Sequence, residues 1–527
     1  MSKIKNLIKK FKLDYIILAI IMSIYYGYIQ WNNFVGDPDG FYHAKLAKWL
    51  AEGKLIESLP WMQFSSLRND FTDHHLLYHL LLAPFTIFFD PMIGVKIATV
   101  IFAVAMVLTF YWFLKRFNIP WPFIFATSFL ILNGFNFRAS LIKANTLSVL
   151  MLYLIVYALF KQKYWLSTLL SAMFIWLYGG WPLAILILIT YLISYKIYKK
   201  LNTNKLKIFL NKSIELLGPF QKKYKLLKTS LYLLGGLALG LIINPYWPKN
   251  LYFYYQQVLQ IGIINMSSQF NVGNEWYGAD MSQIIFSSPH LSVIAIIAIM
   301  VLSFNIKKIS HLTWFAFLMS LGFFILTIKS KRYIEYYMPF TILFIASASK
   351  DIKEFIDWSK YLKTWKNLSQ QIRICLTITA LLFLTITMPF AYDSILNVSL
   401  RNKYPIDKFQ TASLWLKENT EANSIVFHSD WDEWPILFYN NDHNYYIIGL
   451  DPTFMENYNP QLHKLYREIT YGNIRYNISK YIKNDFKADY IFVDRDGHEN
   501  FIQNLILDKG VSEVYQDNKT IIYKIIL

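Results

Sequence analysis

Carboxylates occur in two segments where they could serve chemistry at a membrane surface. Asp37 and Asp39 are separated by Pro38 and followed by Gly40, directly after an apolar run. An Asp-x-Asp pair suits a divalent cation that neutralises a phosphate, whereas Asp, Pro and Gly also favour a simple turn. Glu275 lies beside aromatic residues in a second polar segment, where it is either a site carboxylate or a solvated loop residue.

Two further segments carry cationic or imidazole groups. Arg332 lies in a short basic stretch at the predicted outer end of an apolar run, where basic residues are unusual. It suits an anionic ligand such as a lipid phosphate, or an ion pair with Glu335 one helical turn away. His75 and His79 are four residues apart and share a helix face, which suits either a metal ion or packing in the core.

One more polar segment combines acidic and aromatic side chains. Asp430, Trp431, Asp432 and Glu433 follow a β-like run, and Trp434 comes next. Carboxylates beside ring faces offer hydrogen-bond acceptors together with stacking surfaces. The composition of this loop therefore indicates ligand binding.

The elements that position these residues are mostly apolar helices. Of the 527 residues, 55% are hydrophobic and 16% are charged, against roughly 45–50% and 25% in soluble domains. A chain with so little polar surface is expected to be solvated by lipid. Runs long enough to cross a bilayer predict about eleven spans, and at most about thirteen. These runs lie at 13–31, 92–115, 121–137, 144–160, 164–178, 180–198, 228–245, 284–304, 311–328, 332–349 and 373–392.

Basic residues give the predicted orientation. With a cytoplasmic N-terminus, the alternating loops place most Lys and Arg residues inside. This distribution explains the net charge of +18 and argues against a nucleic-acid partner. Long outer loops are then predicted at about 32–91 and 246–283, in a protein integral to the plasma membrane. The single cysteine, Cys375, excludes an intrachain disulfide and is uninformative about compartment.

The chain changes character after its last apolar run. Short β-rich runs alternate with helical stretches, which is typical of a small α/β domain. We therefore predict a transmembrane helical domain at 1–392 and a soluble extracytoplasmic α/β domain at 393–527. The predicted strands lie at 425–428, 445–448, 490–493 and 521–526.

Taken in order, these segments resemble the catalytic subunit of oligosaccharyltransferase. The stretch from Asp39 to Ala47 is similar to the family's first outer loop, and the segments around Glu275 and Arg332 resemble its mobile outer loop and its phosphate-binding arginine. The stretch 177–182 looks like one of its aromatic-glycine segments. The loop 430–434 stands where the family has Trp-Trp-Asp-Tyr-Gly, and keeps one Trp and the central Asp.

The resemblance implies a GT-C glycosyltransferase bundle and a set of site residues. Asp39 and Glu275 would be the catalytic carboxylates, and Arg332 would bind the donor phosphate. The acceptor would be bound by Trp431, Asp432 and Asp430. A partner glycan on a polyprenyl (pyro)phosphate would be transferred to a protein or glycolipid acceptor at the outer face, next to membrane lipid.

The resemblance also implies a divalent cation, with one departure. Mg²⁺ or Mn²⁺ would be held by Asp39, Glu275 and Asn145. The family has two acidic residues where this chain has Asn145 and Leu147. An asparagine oxygen can bind a cation but brings no charge, so metal affinity is expected to be lower than in the family.

Three alternatives remain open from the sequence. One is a GT-C transferase of the mannosyl or aminoarabinosyl type, which also has acidic residues in its first outer loop. A second is a non-catalytic protein that binds or transports lipid-linked glycans. A third is an inactive homologue, which the change at Asn145 would suit.

Overall fold

The computed structural model describes residues 12–206, 218–355, 369–372, 374, 378 and 404–527. The chain forms two compact units. Unit 1 comprises 1–32, 99–241 and 274–401, and unit 2 comprises 33–98, 242–273 and 402–527. The predicted domain boundary at 392/393, and most of the predicted span 373–392, lie outside the described residues. The division into 1–392 and 393–527 therefore stays a prediction.

Unit 1 is built from helices. This follows from its apolar sequence, because a helix satisfies its own backbone hydrogen bonds where no water is present. Its α-helices, the second and eighth of which extend into unit 2, are Leu13–Gln30, Pro91–Arg116, Pro122–Thr127, Asn133–Ser140, Asn145–Phe160, Tyr164–Leu177, Leu183–Leu206, Gly218–Ile242, Met281–Ser287, Pro289–Ser303, His311–Lys329 and Ile334–Phe355. Short 3₁₀ turns lie at Ser128–Ile131, Asn274–Trp276, Ile306–Lys308 and Lys331–Tyr333.

The helices of unit 1 support a helical membrane protein. Among the described residues, four helices are long and apolar enough to cross a bilayer, and six if each of two bent pairs is one span. The predicted count of about eleven spans stays a prediction. One bent pair, Asn133–Ser140 and Asn145–Phe160, turns through 111°. The predicted span 121–137 is interrupted at a separate point, because Leu132 leaves helical geometry with φ −98° and ψ 83° before the helix that begins at Asn133.

Unit 2 contains helices and short strands. Its α-helices are Asp39–Ala51, Leu76–Phe88, Lys249–Tyr254, Gln410–Asn419, Trp434–Asn440, Thr453–Tyr458, Pro460–Thr470, Ile478–Phe486 and Glu499–Leu507. A π-helical segment covers Tyr255–Ile264, and 3₁₀ turns lie at Met266–Ser268 and Trp431–Glu433. The strands are β1 (Phe34–Val35), β2 (Tyr404–Pro405), β3 (Ile425–His428), β4 (Tyr445–Tyr446), β5 (Tyr490–Asp494), β6 (Val511–Gln516) and β7 (Thr520–Ile525).

The fully described stretch 404–527 carries a five-stranded sheet in the order β4-β3-β5-β7-β6. Strand β3 is parallel to β4 and β5, whereas β7 is antiparallel to β5 and β6. The four β-rich runs expected from the sequence all contain strands, and β6 is an additional one. β6 has a weaker pattern, since none of its side chains is fully buried and its register shifts between Glu513 and Tyr515.

Two features place the loop of Asp37 and Asp39 beside the start of this stretch. β1 pairs antiparallel with β2, so that Phe34 lies opposite Pro405. The helix Asp39–Ala51 also packs against the helix Trp434–Asn440 through edge contacts between aromatic rings, including Phe41 with Tyr439 at 5.5 Å between centroids. Unit 2 therefore joins segments far apart in sequence.

Candidate functional site

A buried ion-pair cluster lies in unit 1. Glu275 accepts hydrogen bonds on both oxygens: Arg138 Nη1 donates to Oε2 at 2.5 Å, and Arg332 Nη1 donates to Oε1 at 3.2 Å. Arg138 Nε also donates to Glu335 Oε2 at 2.8 Å. Glu335 and Arg138 are 1% and 5% exposed, so these charges are held largely away from water. We call these four residues the arginine–glutamate cluster.

Aromatic groups complete the surroundings of Arg332. Its Nε and Nη2 atoms donate to the Tyr178 hydroxyl at 3.2 and 2.7 Å. Its guanidinium also lies 4.8 Å from the ring centroid of Trp276, which is a cation–π contact. Arg332 is therefore fixed from three sides, in a planar orientation that suits bidentate recognition of an anion.

The segment of Glu275 is held alongside the segment of Arg332 by backbone contacts. The Ser330 hydroxyl donates to the Glu275 carbonyl at 2.7 Å, and the Lys331 amide donates to the Tyr277 carbonyl at 2.9 Å. At Gly278 a Cβ atom would lie 2.5 Å from the Ile328 carbonyl oxygen. Glycine at this position thus permits the close approach that brings Glu275 to Arg332.

Arg138 is positioned by the bent helix pair. Its helix, Asn133–Ser140, approaches the helix Ile334–Phe355 so closely that a Cβ atom at Gly134 would lie 2.5 Å from Ile334 Cδ1. Beyond the bend, the side-chain amide of Asn145 donates to the Arg138 carbonyl at 3.4 Å. The bend therefore places Arg138 and Asn145 together.

Electrostatics keep Glu275 ionised. Burial alone disfavours its charged form, but Arg138, Lys143 and Arg332 hold the pKa of this carboxyl well below its usual value. An ionised carboxylate between two guanidinium groups forms charge-assisted hydrogen bonds, which are roughly twice as strong as neutral ones.

The structure brings Glu275 and Arg332 together, and it also places Asn145 beside Arg138. The ion pair considered for Arg332 and Glu335 is not the one formed in the described part of unit 1, where Glu335 pairs with Arg138. Sequence reasoning missed Arg138. The available signal was its place at the predicted outer side between two apolar runs, where basic residues are unusual.

In unit 2, Asp39 is the first residue of its helix. Its amide donates to Asp37 Oδ1 at 2.9 Å, so the turn expected from these residue types forms and starts the helix. Asp37, Asp39, Asp430 and Asp432 all raise the pKa of the Tyr404 hydroxyl, after the larger effect of its burial. The predicted catalytic carboxylate and the predicted acceptor loop therefore share one acidic neighbourhood.

The loop 429–433 is folded around its own carboxylates. Asp430 Oδ1 accepts from the Trp431 amide at 2.7 Å, and Glu433 Oε2 accepts from the Asp430 amide at 3.1 Å. Burial, together with Glu433, raises the pKa of Asp430 to about 6. Burial, Asp430 and Glu433 also raise the pKa of Asp432.

A small cavity opens beside this loop. Asp430 and Trp431 contribute to its wall, whereas Asp432 is not among the residues that line it. The helix Pro460–Thr470 contributes further polar groups to the lining. The cavity is lined by Asn271, Ser429, Asp430, Trp431, Ile448, Pro452, His463, Tyr466, Arg467, Thr470, Tyr471 and His498.

Of the two histidines considered as metal ligands, His79 lies in a hydrogen-bonded chain. His79 Nδ1 lies 2.7 Å from Asp73 Oδ2, and His79 Nε2 lies 2.7 Å from His43 Nδ1. The side chain of His75 lies against these rings rather than sharing a ligand position with His79. Among the described residues, no group of three or more His, Cys, Asp or Glu side chains could hold a metal ion.

The expected Mg²⁺ or Mn²⁺ needs oxygen ligands. In unit 1, both oxygens of Glu275 already accept hydrogen bonds from cationic groups, and these guanidinium groups would repel a divalent cation. Asn145 Oδ1 is buried without a hydrogen-bond partner among the described residues. In this conformation the unit 1 residues do not fit the ion, whose presence stays a prediction.

Comparison with known proteins gives the fold. No family model and no curated protein matches the sequence, but solved structures match. The archaeal oligosaccharyltransferase AglB from Archaeoglobus fulgidus, in complex with an inhibitory peptide and a dolichol-phosphate, matches over 92% of this chain and 70% of that one, with a TM-score of 0.62 and 12% identity. This chain therefore shares the fold of that protein. The remote resemblance expected from the sequence is thereby confirmed.

Two further structures share this fold. The arabinofuranosyltransferase AftD from Mycobacteria matches 97% of this chain and 40% of its own length, with a TM-score of 0.56 and 9% identity. ArnT from Cupriavidus metallidurans matches 98% of both chains, with a TM-score of 0.52 and 10% identity. Similarity at these identities establishes the fold and leaves the reaction to be argued from the site.

Proposed function

We propose that this chain transfers a sugar or oligosaccharide from a polyprenyl-(pyro)phosphate donor to an acceptor at the outer face of the membrane. The observation that carries the proposal is the buried arginine–glutamate cluster in a chain with a GT-C fold. Two guanidinium groups converge on one carboxylate, and guanidinium groups recognise phosphate in the same bidentate manner as carboxylate.

The proposed roles follow the predicted site residues. Arg332 binds the phosphate of the donor. Asp39 is the carboxylate that activates the acceptor, since such a group must accept a proton near the reacting atom. Glu275 is the second catalytic carboxylate. A divalent ion held by Asp39, Glu275 and Asn145 remains part of the prediction.

For the acceptor, the proposed binding loop is the one that contains Asp430, Trp431 and Asp432. Its supports are the cavity that Asp430 and Trp431 line, and the acidic neighbourhood shared with Asp39. Carboxylates and an indole ring in a cavity suit a polar acceptor with hydrogen-bond donors. A protein or a glycolipid meets this description.

A second candidate is a transferase of the aminoarabinosyl or arabinofuranosyl type. The observation that favours it is the match to ArnT, which extends over 98% of each chain. The donor class is the same in this alternative. The acceptor would be a lipid or a glycan rather than a protein.

The acceptor class can be tested with the purified full-length chain. The donor pool is the labelled polyprenyl-phosphate sugars extracted from the native cells, and the acceptors are an Asn-X-Thr peptide and a total glycolipid extract. A labelled peptide supports the oligosaccharyltransferase-like reaction, and a labelled glycolipid supports the second candidate. Label that stays on the polyprenyl lipid with both acceptors contradicts the proposed function.

A further inference from the structure

The arginine–glutamate cluster has one donor group with no acceptor. Arg138 uses Nε for Glu335 and Nη1 for Glu275, but its Nη2 is buried and has no hydrogen-bond partner among the described residues. A guanidinium carries five N–H donors in a fixed fork, and a buried donor left unmade costs about 1–3 kcal/mol. A ligand with an additional acceptor oxygen for Nη2 is therefore favoured at this position.

The shape of the missing acceptor can be derived from Glu275. Its carboxylate offers two oxygens, one to Arg138 and one to Arg332. A phosphate group offers three, so it could keep both contacts and also reach Nη2. The surrounding charges also favour an anion. When the Glu275 carboxylate moves away, the two guanidinium groups leave a net positive charge at this position.

We infer that Arg138 and Arg332 form a two-arginine seat for the donor phosphate, that Glu275 occupies this seat in the described conformation, and that the seat supplies the leaving phosphate with positive charge without a divalent ion. This inference rests on the donor and the transfer reaction of the proposed function, and it replaces the predicted divalent ion as the source of positive charge. It assigns to Arg138 a substrate-binding role that the resemblance to oligosaccharyltransferase did not imply. It also makes the carboxylate of Glu275 a competitor of the phosphate.

The reaction step balances without a metal. The bond between the anomeric carbon of the sugar and the carrier phosphate oxygen breaks, and both electrons stay on that oxygen. The acceptor atom forms the new bond to the anomeric carbon and gives its proton to a carboxylate, for which the proposed function names Asp39. The charge that grows on the leaving phosphate is then stabilised by fixed N–H donors, which need no reorganisation during the reaction.

Binding of dolichyl phosphate to the purified full-length chain in detergent tests the inference. The wild-type chain is measured first with EDTA and then with excess Mg²⁺, an arm that needs no variant to fold. We expect the same affinity in both buffers. We also expect dolichyl phosphate to bind more tightly than phosphatidic acid, which carries the same phosphate group on a different lipid.

Two variants test the metal-free seat against a site in which Glu275 is a metal ligand. Arg138→Gln should weaken binding by about 10- to 100-fold, the effect of losing charge-assisted hydrogen bonds. Glu275→Gln should strengthen binding, because it removes the competing charge, whereas loss of a metal ligand would weaken it. The matched control is Arg116→Gln, an exposed arginine of unit 1 outside the cluster, which should leave the affinity within about twofold.

Each contradicting result has a separate meaning. Binding that disappears in EDTA and returns with Mg²⁺, or that weakens in Glu275→Gln, overturns the metal-free seat and leaves the proposed function standing. Equal binding of phosphatidic acid overturns the assignment of the seat to the donor. Absence of dolichyl phosphate binding by the wild-type chain in either buffer overturns the proposed function as well.

Discussion

Removing one partner of the ion pair between Arg138 and Glu335 should strongly destabilise unit 1. The two charges are 2.8 Å apart, and their side chains are 6% and 1% exposed. At an effective dielectric constant of about 20, charges at this distance attract by about 6 kcal/mol, part of which is offset by desolvation. Removing one partner from a buried pair typically costs about 3–5 kcal/mol, because the other charge is left uncompensated.

We therefore expect Arg138→Gln to lower the free energy of unfolding by about 3–5 kcal/mol. Glu335 would then keep the hydrogen bond from the Tyr178 hydroxyl, at 3.4 Å. In the double variant Arg138→Gln/Glu335→Gln no charge is stranded on Glu335, so the loss should be smaller than the sum of the single losses by about 2–3 kcal/mol. The measurement is reversible unfolding in mixed micelles, followed by circular dichroism.

The control is the pair Lys519–Asp496, whose side chains are 63% and 70% exposed. Its coupling energy should stay below about 1 kcal/mol, as for other surface pairs. A coupling energy for Arg138 and Glu335 no larger than that of this control would refute the reasoning from burial.

Three further predictions concern the binding loop, the acceptor and the topology. Because the pKa of Asp430 is raised to about 6, its folded form holds the proton more tightly than the unfolded chain, and stability should fall as pH rises from about 4 to about 6. Asp430→Asn, which keeps the cap on the Trp431 amide, should reduce this fall in the free energy of unfolding by roughly 1–2 kcal/mol, allowing for partial exposure. An unchanged fall in unfolding measured across this pH range would contradict the prediction. Trp431→Ala should raise the KM for the acceptor at least about fivefold with little change in kcat, whereas Trp165→Ala at an exposed indole should change neither, and a loss confined to kcat would oppose a binding role. A reporter that is active only in the cytoplasm should be inactive when fused to the C-terminus, and activity there would reverse the predicted orientation.

The sequence predicted the membrane bundle because apolar composition and helix length are local properties. It also predicted strands β3, β4, β5 and β7, since each is a short, buried, β-branched or aromatic run. The break at Leu132 was not predicted. Apolarity continues through it, and the helix that follows packs closely through Gly134 against Ile334, which is a tertiary contact.

The candidate site was predicted in part. Glu275 and Arg332 were chosen by residue type and resemblance, and the structure brings them together. Arg138 was passed over because its partners, Glu275 and Glu335, are 137 and 197 positions away. Sequence spacing alone cannot show such pairing, and without it the arginine looks like a loop residue between two spans.

The central claim is sugar transfer from a polyprenyl-phosphate donor, and the most direct measurement is transfer by the purified full-length chain. Labelled donor from the native cells is mixed with peptide and glycolipid acceptors, and product is counted for wild type, Arg332→Gln and Arg116→Gln. We predict labelled product with wild type and Arg116→Gln, and about 10- to 100-fold less with Arg332→Gln. Equal product from Arg332→Gln, or no product from the wild-type chain with either acceptor, would contradict the claim.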